Sequence, residues 1–134
     1  MISSEEQNGE YESGRVTDGH RTWRIRTARV TPNKPGAFVA VWRRAADGRT
    51  EPFHADEDCD GLLVLVEDGP RFGVFAFTRE HLAELGITQA PGRPGKRGFR
   101  VYPRWCDDLN RQATRTQRAQ APAFTDFSNE IPAR

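Results

Sequence analysis

Residues 95–105 place four cations (Lys96, Arg97, Arg100 and Arg104) among three aromatics (Phe99, Tyr102 and Trp105). Arg111, Arg115 and Arg118 follow at helical spacing. Cations draw a polyanion from a distance, and aromatic and guanidinium planes then stack on exposed bases. The composition therefore points to nucleic acid, held by its phosphate backbone rather than read by sequence. Taken singly, each residue reads more simply as an edge strand with solvated arginines. The concentration over one segment is what favours binding. Lys34, Arg43 and Arg44 extend the expected track of phosphate contacts, and Trp105 is the expected stacking face.

A second cluster, Asp56-Glu57-Asp58-Cys59-Asp60, comes just before an apolar run. Carboxylates entering a buried strand are one way to hold a divalent cation for phosphodiester cleavage. The alternative reading is thus a metal-dependent nuclease, with Asp58 and Asp60 on magnesium or manganese and Glu10 and Lys34 beside them. The neighbouring run, residues 72–77, supplies no side-chain oxygen to complete such a site. An acidic surface loop facing the arginine blocks is the simpler account, and the main reading needs no catalytic residue, metal or cofactor. His20, His54 and His81 stand isolated, and no nucleophile elbow or GxGxxG turn is present. A third reading is a protein-binding module whose basic face meets an acidic partner.

The elements that must position these residues belong to one domain. The chain has 134 residues, 36% of them hydrophobic and 29% charged, enough for a single lean core. No apolar run approaches the roughly 18 residues of a membrane span, and no basic-plus-apolar leader opens the chain, so a cytoplasmic address and no membrane partner are expected. Cys59 and Cys106 lie far apart without a CxxC pattern, which suggests neither a disulfide framework nor a zinc site. The net charge of +1 hides segregation: residues 1–14 and 51–68 are acidic, residues 15–49 and 93–118 basic. Folding could merge the two basic blocks into one field. Eighteen of the twenty bases are arginine, suited to forked contacts with phosphate.

Alternation predicts strands over residues 21–30, 37–44, 62–66, 72–77 and 98–102. Turns are expected at 31–36, 46–49 and 68–70, where proline and glycine break the ladder. Thr78 should cap a short helix that stops at Gly86, and Asp107 or Asp108 should cap a longer one ending before Pro122. On that second helix Arg111, Arg115 and Arg118 share one face, with Leu109, Ala113, Thr116 and Gln120 opposite. Phe38, Trp42, Leu63, Leu65, Phe75 and Phe99 are the expected core, with Asp56, Glu57, Arg111 and Arg115 exposed. Residues 1–9 read as a polar, partly ordered lead, 10–124 as the domain and 125–134 as a tail. The order of elements gives an α+β domain with a mixed, mainly antiparallel central sheet flanked by two helices.

Residues 6–11 (EQNGEY), 27–43 (TARVTPNKPGAFVAVWR), 95–103 (GKRGFRVYP) and 110–113 (NRQA) with Thr116-Gln117 resemble the MepB family over about 6–124. The resemblance implies a small bacterial protein with a fold similar to the restriction-endonuclease-like core and a role on nucleic acid, DNA ahead of RNA, with no established reaction. Ala37 and Val74 stand where that family usually has glutamine, Arg29 where it tends to have lysine, and Ala119 where it has tryptophan. The helical lead-in usual before the motif near Glu10 is also short here. The change at Val74 removes a polar side chain from the second strand of a nuclease-like site, which weakens catalysis more than binding.

Overall fold

Five apolar residues in a row after the acidic cluster, then an aromatic-rich alternation, fold back on each other as the longest hairpin of the chain. In the computed structural model, which describes residues 2–4, 14–17, 19–55 and 59–130, the elements follow in order. They are β1 (Ile2–Ser4), β2 (Gly14–Thr17), β3 (Thr22–Val30), β4 (Ala37–Ala40), β5 (Trp42–Arg44) and β6 (Thr50–Pro52). Then come β7 (Gly61–Asp68), β8 (Arg71–Thr78), α1 (Arg79–Glu84), β9 (Gly98–Val101), α2 (Arg111–Gln120) and β10 (Phe124–Asp126). Short 3-10 turns follow α2 and β10.

The main sheet runs β1-β2-β3-β7-β8-β10, and it forks at β3, whose last residues pair with β4; β4 carries β9 on its other edge. Only β3 and β7 pair in parallel among the described strands. The fold is α+β, with a curled and mostly antiparallel sheet, rich in strands and holding two helices. Curling brings β9 over β8, where the rings of Phe77 and Phe99 meet edge to face at 5.8 Å. Val39, Val41, Leu62, Val64, Val66, Phe75 and Val101 fill the space between, with Leu82 of α1 on top.

Several expectations hold locally. Thr78 caps α1 by accepting the His81 N–H at 3.2 Å, and Gly86, at φ +73°, takes the left-handed turn after it. Others are corrected. The strand expected over 37–44 breaks at Val41, whose N–H bonds to the Arg97 carbonyl, so residues 42–44 leave to form a separate hairpin with β6. Asn110, not Asp107 or Asp108, caps α2: its Oδ1 accepts the Ala113 N–H at 2.8 Å, while Asp108 lies two residues earlier at φ +55°. Beyond residue 124, where a tail was expected, Thr125 and Asp126 pair with Val74 and Gly73 as a short edge strand.

The expected core also changes. Phe75 and Phe99 are buried, but Trp42, Leu63 and Leu65 are half-buried and Phe38 is 44% exposed. Leu63 and Leu65 lie on the sheet face turned away from the core, because Leu62 and Val64 take the inner one. Phe38 likewise points outward between the buried Ala37 and Val39. Its ring tip rests on Gly98, where any Cβ would come within 2.3 Å of it. On β3 the inner face is instead taken by Arg24, Arg26 and Ala28. Both guanidinium groups lie over the Phe53 ring, at 4.3 and 5.3 Å from its centroid. Asp56 and Glu57 lie outside the described residues.

Candidate nucleic-acid interface

Helix α2 is too polar to be held by apolar burial alone: of its ten residues only Ala113 and Gln120 are buried. Glutamines dock it. The Gln120 Nε2 donates to the Arg100 carbonyl at 2.7 Å, and its Oε1 accepts the Tyr102 N–H at 2.9 Å. One carboxamide thus pairs with the free edge of β9 as a neighbouring strand would. Gln117 donates to the carbonyls of Pro103 and Cys106 at 2.9 and 3.0 Å, and His81 of α1 donates to the Ala119 carbonyl at 2.7 Å. With that face committed, Arg111, Arg115 and Arg118 are left exposed on the other side. No acidic residue occupies the first turn of α2, so the positive end of the helix dipole adds to the arginine charge.

Two hollows flank the helix. A cleft of about 530 Å³ lies over β9, between α2 and the end of α1, and draws Lys96 and Arg115 to its rim with Glu84, Tyr102 and Asn110. A smaller hollow of about 90 Å³ on the far side of Tyr102 is lined by Arg104, Gln117, Arg118 and Phe124. The Arg104 guanidinium lies over the Phe124 ring at 5.8 Å. Lys96, Arg104, Arg111, Arg115 and Arg118 are therefore gathered around one helix.

The remaining expected contacts lie elsewhere or are already used. On the β5–β6 hairpin, Arg43 pairs with Glu51 at 3.4 Å, and Arg44 donates to the Gly48 carbonyl at 2.9 Å with its guanidinium over Trp42. Arg97 reaches the same hairpin, donating to the Thr50 carbonyl and hydroxyl at 3.0 and 3.1 Å. Arg100 staples the turn that bears exposed Lys34, donating to Pro35 O at 3.1 Å and Thr31 Oγ1 at 2.7 Å. Trp105 packs against the core, edge-on to Phe124 at 5.5 Å with Arg71 over its ring, so its faces are partly taken.

Of the four donors named for the nuclease alternative, Asp60 and Lys34 are among the described residues, and they stand far apart. Asp60 Oδ2 accepts the Thr22 N–H at 2.7 Å, and its Oδ1 sits 3.8 Å from Arg79, so this carboxylate ties the start of β3 to the start of α1. Lys34 follows the other end of β3, about 26 Å away along a nine-residue strand. Asp58 and Glu10 lie outside the described residues, and no three described His, Cys, Asp or Glu side chains gather as a metal site. Burial, then the charges of Asp68 and Asp107, push the half-buried Cys106 thiol pKa up.

Phe38 was the residue least visible from sequence. It stands between Arg29 and Arg100 across three strands, an exposed ring framed by cations. The glycine opposite it, Gly98, was the available signal.

A family profile described as MepB-like matches residues 5–126. The chain belongs to that family. The structure titled "Crystal Structure of MepB" is 35% identical to this MepB-like chain and superposes with a TM-score of 0.90, over 94% of this chain and 85% of that one. No curated protein matches.

Proposed function

We propose that this MepB-like protein binds nucleic acid along α2, contacting the phosphate backbone with Lys96, Arg104, Arg111, Arg115 and Arg118. One observation carries the reading. The side chains of Lys96, Arg111, Arg115 and Arg118 make no hydrogen bond or ion pair with a described residue, whereas those of Arg43, Arg44 and Arg97 bond inside the protein. Unpaired arginines on the solvent face of a helix, beside a second line of cations, suit a polyanion better than they suit the fold. Lys34 and Phe38 extend the surface along β4. Trp105, Arg43, Arg44 and Arg97 belong to the reading only as neighbouring positive charge or packing.

The expected kinship with the restriction-endonuclease-like core belongs to the same proposal. It is supported by the mixed sheet and its single described parallel pair beside an antiparallel hairpin. No cleavage reaction is part of it. The test is fluorescence anisotropy with duplex DNA, single-stranded DNA and RNA across a salt series. On duplex DNA log affinity should fall linearly with log salt, with a slope of about −0.9 for each phosphate contacted. Replacing Arg111, Arg115 and Arg118 together by glutamate should remove most of the affinity. Failure of the wild type to bind any of the three at low salt would sink the proposal; salt-independent affinity would turn it toward a protein or small-molecule ligand.

A further inference from the structure

The exposed face of α2 explains attraction to a polyanion, but it does not explain the 530 Å³ cleft beside it. That volume lies within the roughly 300–1,000 Å³ range of small-molecule sites. The His81 bond to the Ala119 carbonyl ties α1 to α2 beside the cleft. Leu85 and Phe99 give its floor apolar surface, while Ala119 lies on the wall, Lys96 and Arg115 stand at the rim and Tyr102 supplies aromatic surface. The Arg100 guanidinium is turned away to the 31–36 segment, so the cations that matter here are Lys96 and Arg115. Asn110 uses its Oδ1 on the Ala113 N–H, which leaves its Nδ2 hydrogens to donate elsewhere, and Gln112 also lines the cleft. Glu84, exposed on the α1 side, is an acceptor placed for sugar hydroxyls.

A bare anion would leave the apolar floor wet, and an apolar ligand would leave two cations unmatched. One ligand chemistry uses anion, hydroxyl, amide-edge and apolar groups at once. We propose that the cleft between α1 and α2 binds a single 5′-phosphorylated nucleotide, its phosphate between Lys96 and Arg115 and its base toward Asn110 and Gln112. The inference rests on the nucleic-acid reading for its context, but it assigns the cleft, which shares Lys96 and Arg115 with that surface, a ligand of its own. The nucleotide has two possible sources, a free nucleoside monophosphate or the phosphorylated end of a strand.

Isothermal titration calorimetry with adenosine 5′-monophosphate, adenosine and inorganic phosphate tests the site on the full chain. The monophosphate should bind saturably, with adenosine and phosphate each at least about tenfold weaker, since each satisfies only part of the cleft. Lys96→Glu and Arg115→Glu should each weaken the monophosphate by about ten- to a hundredfold, the scale of one charge-assisted bond. Ala119→Trp, at an exposed position on the cleft wall, should fill the site and abolish nucleotide binding. The same variant should keep its circular dichroism and bind duplex DNA to within about threefold of wild type. Oligonucleotides with and without a 5′-phosphate then assign the source: tighter binding of the phosphorylated strand, lost in Ala119→Trp, means a strand end, and equal binding means the free nucleotide. Nucleic acid bound without any nucleotide binding would overturn the cleft inference alone. Nucleotide binding indifferent to both Ala119→Trp and Arg115→Glu would place it elsewhere and overturn it as well. Binding of neither ligand would end both readings.

Discussion

Two sets of arginines, one on β3 and one on α2, show how differently the same side chain is used. Arg24 and Arg26 sit on the inner face of a central strand, 7% and 1% exposed, with their guanidinium planes over Phe53. Arg111, Arg115 and Arg118 sit on a solvent face and engage no described residue. The aliphatic stem and planar head let arginine pack like an aromatic where an aromatic partner is present. Where the docked side of an element is already committed to glutamine hydrogen bonds, arginine is left to serve whatever comes from outside. Count and spacing therefore do not tell a buried arginine from a solvent-facing one; the neighbour across the strand or helix does.

The comparison can be broken most sharply by stability measurements in chemical denaturation. Phe75→Ala, at a fully buried ring stacked on Phe77, sets the upper scale at roughly 3–5 kcal/mol. Arg26→Ala should follow at about 3 kcal/mol, because it empties a core position and takes the guanidinium from the Ile25 carbonyl and the Phe53 ring. A change near zero would show that the β3 arginines are not structural. Gln120→Ala should cost about 2 kcal/mol, since a β9 carbonyl and a neighbouring N–H lose their partners, and loosening of α2 should lower nucleic-acid affinity as well.

At the small end, replacing Arg111, Arg115 and Arg118 together by glutamate should shift stability by no more than about 0.5 kcal/mol while abolishing most nucleic-acid binding. A large loss of stability would erase the distinction between the two sets. Smaller still is an acid-range effect. Ser128, through its hydroxyl and its N–H, holds the exposed Asp126 carboxyl below the usual carboxylate range. A depressed carboxyl adds stability above its ordinary pKa and loses it as pH falls through the lowered one. Ser128→Ala should therefore flatten the acid limb of the stability curve slightly, and an unchanged limb would remove Asp126 from the account.

Much of the fold was legible because local rules and packing agreed. The hairpin of β7 and β8, the Thr78 cap, the turn at 31–36 and the solvent face of α2 all follow from alternation, capping and periodicity. What was hidden depended on partners distant in sequence. Nothing near Phe38 says that its strand face is open; that follows from where β4 leaves β3 and from the space that Gly98 yields. Nothing near Arg26 announces Phe53, twenty-seven positions on. For the site, the sequence named Lys96, Arg104, Arg111, Arg115 and Arg118, which the fold brings around α2. It could not separate them from Arg97, whose partner Thr50 arrives through the β5–β6 hairpin. The cleft was invisible for the same reason, since its walls come from elements separated by the whole 86–110 segment.

The contact between Gln120 and β9 also bears on how the protein behaves in crowded solution. A strand that offers an unpaired N–H and carbonyl is a template on which another chain can add itself, the first step toward swapped dimers and aggregates. Here a single carboxamide occupies that template, held in place by α2 itself. Any event that lifts α2, whether mutation, proteolysis near Asn110 or thermal opening, would remove the cationic surface and uncover an adhesive strand in the same step. Loss of binding and onset of self-association should therefore arrive together.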